Sequence, residues 1–278
     1  NITAQFLGTY QRQTGALTYI SLALLMLSAS FISDGDFVKR FIHITLIVGV
    51  ILIAYGNLQY FGLEPFPYVN AYTVNAPIGT FGNPNFQSAF MGMIGVVSFT
   101  MALNQAFKSS IKIGLALVGV ASLIVVYETL SKQGFLNFTA GLGAVVILWL
   151  FMTKRKTLGL AASGLGAVGA IFTFLGLINT GPLANILYKG SLEARGYYWR
   201  AGLKILTEHP FFGVGMDGFG NWYARVRPSD YAAKGFSSWS NSAHNVFLDI
   251  GSSGGFILLA IYLAIFVLVV ISIIKIVK

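Results

Sequence analysis

Seven blocks of mostly apolar residues run through this sequence, at 14–32, 41–60, 86–107, 113–130, 135–153, 158–178 and 255–274. Each is close to the length of about twenty residues that a helix needs to cross a hydrocarbon core of roughly 30 Å. A segment surrounded by lipid has to close its own backbone hydrogen bonds, so helix is the default conformation. The expected fold class is therefore all-α, a polytopic transmembrane helical bundle with a long outer-face loop containing short helices. Only 10% of the residues are charged, against roughly a quarter in a soluble domain, which argues against an ordinary water-exposed globule.

The formal charge of +9 could suggest a nucleic-acid partner. The cations, however, sit in the connections between apolar blocks, where membrane proteins keep them. No basic run is interleaved with stacking aromatics. Lys39 and Arg40 follow the first block, Lys108 and Lys112 the third, and Lys154, Arg155 and Lys156 the fifth; Lys275 and Lys278 follow the last. The alternate connections hold little positive charge apart from Lys132 and the long stretch 179–254, while Arg12 precedes the first block. The positive-inside rule places the short cationic connections in the cytoplasm and 61–85, 131–133 and 179–254 outside. The sequence has no cysteine, so disulfide, zinc-thiolate and thiol-nucleophile chemistry are excluded. It opens at Asn1 without a methionine or a visible signal peptide, as expected of a piece lacking upstream spans.

The organisation expected is six spans over residues 1–178, a large outer loop over 179–254 carrying the site, and a seventh span over 255–278. Residues 61–85 are rich in Pro, Gly and Asn and read as a surface turn segment. The 179–254 stretch is longer than a helix connection needs, and long ordered loops tend to be functional. It carries Trp199, Trp222 and Trp239 together with Arg195, Arg200, Lys204, Arg225, Arg227, Lys234, His209 and His244. Part of it reads as a helix that Ser191 can cap, with Trp199, Leu203 and Leu206 as its apolar stripe, ending before Pro210.

Several short patterns match catalytic or binding motifs without the context that gives those motifs meaning. Gly164-Leu-Gly166-Ala-Val-Gly169 fits a dinucleotide fingerprint but lies inside an apolar block, where small residues allow helices to approach. Gly213-Val-Gly215-Met-Asp-Gly218 reads as a tight turn, with a backbone cradle for an anionic group as the alternative. Gly251-Ser-Ser253-Gly-Gly255 fits a nucleophile elbow, yet no strand precedes it. Asn137-Phe-Thr139 fits a glycosylation acceptor but falls within a span.

Four other motifs share the outer side and follow one another in a particular order. They are Gly79-Thr-Phe-Gly-Asn-Pro-Asn85 with Phe86-Gln-Ser-Ala89; Ser131-Lys-Gln-Gly134; Arg195-Gly-Tyr-Tyr-Trp199 with His209-Pro210, Gly213-Val-Gly215 and Phe219; and His244-Asn245 through Gly254-Gly255. This series, running from about Gly79 to Gly255, resembles the bacterial O-antigen ligase superfamily. That superfamily also holds O-antigen polymerases and O-linked protein oligosaccharyltransferases. Two departures stand out. Lys132 occupies the place of the usual arginine, and an ammonium lacks the guanidinium fork. The glycines after His244 also differ from the commonest family spacing.

The resemblance implies a multi-pass protein of the bacterial cytoplasmic membrane with its active site facing the periplasm. It implies transfer of a glycan, with inversion and without metal or cofactor, from an undecaprenyl-diphosphate-linked donor to a hydroxyl. The acceptor would be a glycolipid, a glycan or a protein; the bilayer is a further partner and nucleic acid is not. His244 and Arg195 are the catalytic candidates; Lys132, Arg225, Arg227, Asn85, Asn245 and Trp199 are the substrate-binding candidates. Charge builds on the diphosphate as the glycosidic bond breaks, which calls for cations such as Arg195 and Lys132. An imidazole titrates near neutrality and suits deprotonation of the acceptor, and aromatic rings such as Trp199 can pack on sugar faces.

Each residue also has a plainer reading. His244 could satisfy backbone groups at a helix start, Arg195 could anchor an interfacial helix, and Lys132 could pair with Glu128 four residues earlier. Asn83 and Asn85 could cap or turn the chain. Asp249 reads as structural and His209 as a turn residue before Pro210. A rival of another class, a small-solute or anion transporter, would place ionisable groups within the spans; the cores of the seven blocks carry none.

Overall fold

The computed structural model describes residues 2–8, 13–32, 35–64, 66, 76–230 and 239–277. Arg12, Lys234, Lys278, positions 65 and 67–75 of the turn-rich loop, and the Ser191 side chain lie outside the described residues. In chain order the helices are α1 (Ile2–Leu7), α2 (Ala16–Ser30), α3 (Gly35–Tyr60), α4 (Pro84–Ala102), α5 (Ser109–Glu128), α6 (Lys132–Met152), α7 (Lys156–Leu177), α8 (Ala184–Leu187), α9 (Ser191–Glu208), α10 (Phe219–Val226) and α11 (Val246–Val277). A 3-10 turn covers Gly79–Phe81, and no strand occurs among the described residues. The all-α, polytopic expectation is met.

All seven apolar blocks become helix, with two differences from the sequence reading. Helices α3, α5, α6, α7 and α11 are long and apolar enough to cross a membrane. The first block contracts to α2, whose 15 residues reach about 22 Å at 1.5 Å per residue, short of a full hydrocarbon core. The third block, α4, falls outside the set; it carries polar residues that it buries, among them Gln87, Ser88 and Ser98.

The chain forms two compact units, one of Ser33–Ser163 and one of Asn1–Ile32 with Gly164–Lys278. In the first, α4 packs against α3, α5 and α6 around buried Leu52, Met91, Ile94, Val125 and Val126. The closest approach is between α4 and α6. A side-chain carbon on Gly92 would collide with the Gly134 carbonyl, and one on Gly134 with the Ser88 carbonyl. The Ser88 hydroxyl fastens this contact, accepting from Gly134 N–H at 3.1 Å and donating to the Ser131 carbonyl at 3.3 Å.

By contrast, a side chain at Gly164 or Gly169 would meet open space. Gly164 and Gly169 therefore set no close packing among the described residues, and that sequence expectation is corrected; the close backbone contact is made by glycines of α4 and α6.

The motif stretches of this unit sit at the starts of its helices. Asn83 caps α4 by accepting from Asn85 N–H at 2.8 Å, with Pro84 at the first helical position. Ser131 caps α6, accepting from Gln133 N–H at 3.3 Å while its hydroxyl donates to Asn85 Oδ1 at 2.9 Å. Buried Gln59 Oε1 accepts from the N–H groups of Ile78 and Gly79, at 3.0 and 2.8 Å. The turn leading into α4 is thereby held from α3.

Replacing Gly134 by alanine forces α4 and α6 apart. Overpacking of this kind costs about 1–3 kcal/mol, so Gly134→Ala should lower the thermal unfolding midpoint of the purified protein in detergent. Gly164→Ala, made in open space, should leave that midpoint unchanged or raise it slightly.

Candidate functional site

In the unit of Asn1–Ile32 with Gly164–Lys278, α9 presents two different faces. Tyr197, Ala201 and Ile205, at helical spacing, are buried against Phe219, Tyr223 and Val226 of α10 and against Ala243. The apolar stripe expected at Trp199, Leu203 and Leu206 is corrected accordingly. Leu206 is buried against Gly251, but Leu203 is half exposed, because α10 covers the neighbouring face that carries Tyr197, Ala201 and Ile205. The residue ahead of α9 is Gly190, which gives no side-chain cap.

Helix α9 runs in the same direction as the first turns of α11. The Tyr198 ring lies 5.5 Å from the His244 ring, Gly202 faces Leu248 and Ala243, and Leu206 faces Gly251. Arg195 is one turn ahead of Tyr198 on this face and is half-buried. Among the described residues it forms no ion pair.

Helix α11 is broken at Gly255, where φ is 70° and ψ −169°. In an unbroken helix the Ser252 carbonyl would accept from Phe256 N–H. Instead Phe256 N–H donates to the Pro210 carbonyl at 2.7 Å. The Ser252 and Ser253 carbonyls accept from Val214 N–H at 2.8 Å and Gly215 N–H at 3.0 Å. Three groups at the break, the Ser252 and Ser253 carbonyls and the Phe256 N–H, are thus taken up by the 210–215 turn. The fit is tight: a side chain on Gly213 would strike the Ser252 carbonyl, and one on Gly255 the Phe211 carbonyl.

This clamp bears on two sequence patterns. The N–H groups of Val214 and Gly215 are engaged with α11, which removes the anion cradle considered for Gly213–Gly218. The Gly251–Gly255 stretch is helix up to its break, with Ser252 fully buried and its hydroxyl donating to the Asp249 carbonyl at 3.2 Å.

His244 precedes α11 in the left-handed region, at φ 51°, a conformation uncommon outside glycine. Three contacts hold it there. Its N–H donates to Ser242 Oγ at 3.2 Å, the neighbouring Ala243 N–H donates to Asp249 Oδ1 at 2.7 Å, and Asn245 Oδ1 caps α11 by accepting from Phe247 and Leu248 N–H at 3.1 and 3.3 Å. The result is an exposed imidazole on a fixed backbone, tilted at 37° against the Tyr198 ring and on the side of α9 that carries Arg195.

The remaining candidates are placed elsewhere. Trp199, one turn after Arg195 on the adjoining flank of α9, lines a cleft of about 540 Å³ together with Tyr188, Tyr197, Arg200 and Asp230. In that cleft Arg200 covers the Tyr197 ring at 4.3 Å and pairs with Asp230 at 3.8 Å. Arg225 is exposed and lies over the Trp222 ring at 5.2 Å; His209 also meets that indole, edge-on at 4.4 Å. Arg227 follows the end of α10. Asn85 and Lys132 belong to the Ser33–Ser163 unit, Asn85 bound to Ser131 and Lys132 exposed at the first position of α6. No Lys132–Glu128 ion pair forms, and Glu128 Oε2 has no hydrogen-bond partner among the described residues.

Sequence reasoning assigned no role to Ser242 or Tyr198, which help set the His244 geometry. The only local signal was a serine two residues before a histidine and an aromatic i+3 from an arginine.

Because Asp249 carries an acceptor that a backbone N–H depends on, Asp249→Leu should cost about 1–3 kcal/mol, the typical price of an unsatisfied donor. Asp249→Asn keeps an acceptor oxygen and should retain most of that stability. Thermal unfolding of the two variants beside wild type measures the difference.

Comparison with known proteins was informative at the level of family. Residues 115–263, just over half of the chain, match the model of the O-antigen ligase family. No curated protein and no solved structure matches it. The matched segment contains Lys132, Arg195, the 210–215 clamp and His244. This multi-pass membrane protein belongs to the O-antigen ligase family.

Proposed function

We propose that this protein transfers a glycan from an undecaprenyl-diphosphate carrier to an acceptor hydroxyl at the periplasmic face of a bacterial cytoplasmic membrane. The observation that carries the reading is the fixed, exposed His244 imidazole ahead of α11, against Tyr198, which itself lies one helical turn after Arg195 on α9. Family membership supports the class of reaction.

In the proposed step, His244 accepts the proton of the acceptor hydroxyl as its oxygen attacks the anomeric carbon. The bond from that carbon to the diphosphate oxygen breaks with inversion, and the leaving group departs with its electron pair. Negative charge grows on the diphosphate, and the Arg195 guanidinium neutralises it through charge-assisted hydrogen bonds. Pre-setting Arg195 on α9 and His244 on a fixed backbone ahead of α11 lowers the reorganisation needed at the moment of reaction. The reading requires neither metal nor cofactor.

The test is transfer by the purified protein in liposomes, supplied with undecaprenyl-diphosphate-linked glycan and EDTA. A glycolipid, a second lipid-linked glycan and a serine-rich protein are offered as acceptors in separate reactions. Wild type should consume the carrier with one acceptor, which distinguishes ligase, polymerase and protein-glycosylating activities. General-base assistance contributes about 10²–10⁴-fold, so His244→Ala should lose at least a hundredfold in rate without losing thermal stability. Arg195→Ala should lose a similar factor, and Arg195→Lys should retain part of the activity. Unchanged transfer by a folded His244→Ala, Arg195→Ala double variant would sink the proposal.

A further inference from the structure

The turn that clamps the broken helix also exposes two large apolar side chains. Phe211 is 68% and Phe212 80% exposed. No Lys, Arg, Asp or Glu occurs from His209 to Met216, so nothing charged accompanies the pair on its own turn. The nearest charges on α9 are Lys204 and Glu208, paired at 3.9 Å before the helix ends.

The position of this turn follows from contacts already described. Helix α9 runs alongside the first turns of α11 in the same direction, so its carboxyl end points the way the apolar part of α11 runs. The Pro210 carbonyl accepts from Phe256 N–H at 2.7 Å, which fixes the turn beside the first residues after the break. Those residues are themselves outward-facing and apolar, with Phe256 51% and Ile257 48% exposed. They open the apolar run that is long enough to cross a membrane. Phe211 and Phe212 extend this lipid-facing surface.

We infer that the Phe211–Phe212 pair is a membrane anchor, inserting among lipid acyl chains beside the start of the α11 span and seating the end of α9 on the bilayer. Continuity with the exposed face of α11 selects lipid as the occupant over a second protein surface. Aromatic side chains are favoured at this boundary depth. The anchor fixes the height of α9, and with it of Arg195 and Tyr198, relative to the bilayer. The inference stands independently of the reaction proposed above.

The natural sequence has no cysteine, which allows single nitroxide labels to be placed without other changes. Labels at Phe211→Cys and Phe212→Cys are compared in liposomes with Ile257→Cys as the lipid reference and Glu208→Cys as the aqueous one. Each variant is first checked for an unchanged thermal transition. The anchor predicts that labels at 211 and 212 collide several-fold more with oxygen than with a water-soluble nickel chelate, following 257. If they instead follow 208, the pair stands in water and the inference fails. Low collision with both reagents, with dipolar broadening between labels, would assign the surface to a second copy of the chain and equally overturn it.

Discussion

A peptide group that approaches lipid cannot be left without a partner, and the break in α11 at Gly255 raises that difficulty at the start of a membrane-crossing helix. The chain solves it with main chain alone: the Pro210 carbonyl and the N–H groups of Val214 and Gly215 replace the missing helical partners. Much of the surrounding unit follows from that substitution. The 210–215 turn has to lie against α11, which fixes where α9 ends and α10 begins. Because α9 is anchored at its end and packed along the first turns of α11, Tyr198 comes beside His244 and Arg195 falls one turn away. The candidate catalytic pair is thus positioned by a backbone repair some distance from either side chain.

The Ser33–Ser163 unit handles buried polarity differently. Its interior is fastened by side chains, with Ser88 bridging α4 to α6, Ser131 joined to Asn85, and Gln59 reaching from α3 to the Ile78–Gly79 peptide groups. Small polar residues suit this role in helical bundles, since they let backbones approach while adding hydrogen bonds. The cost shows in α4, which is too polar to join the helices apolar enough to cross a membrane by themselves. It is surrounded by α3, α5 and α6 instead.

What the sequence disclosed tracks the range of the interactions involved. Periodic apolarity is local, so all seven blocks were legible as helices, and the caps at Asn83 and Ser131 lie beside the residues they serve. The His-Asn start of α11 was visible as a motif and Asp249 as a structural residue, but the particular bonds were not: Asn245 and Asp249 accept from neighbouring peptide groups, and Ser242 lies outside the motif. Most opaque was the mating of Gly213–Gly215 with Ser252–Gly255. Each half resembled a familiar local pattern, a glycine-rich loop and a nucleophile elbow. Only their separation of about forty residues, closed by the fold, reveals that the two patterns are halves of a single joint. The α9 stripe was misread for a related reason, since which face is buried depended on α10.

The joint has a bearing on how such a protein can change. Main-chain atoms make its hydrogen bonds, so they are indifferent to most side chains around them. Steric exclusion at Gly213 and Gly255 is the main demand on residue type. Around that fixed point, the outward surfaces of α9 and α10 are free to be rewritten, including the Tyr188, Trp199 and Arg200 side of the cleft. Recognition surfaces can therefore diverge on this scaffold while the geometry around His244 is inherited intact.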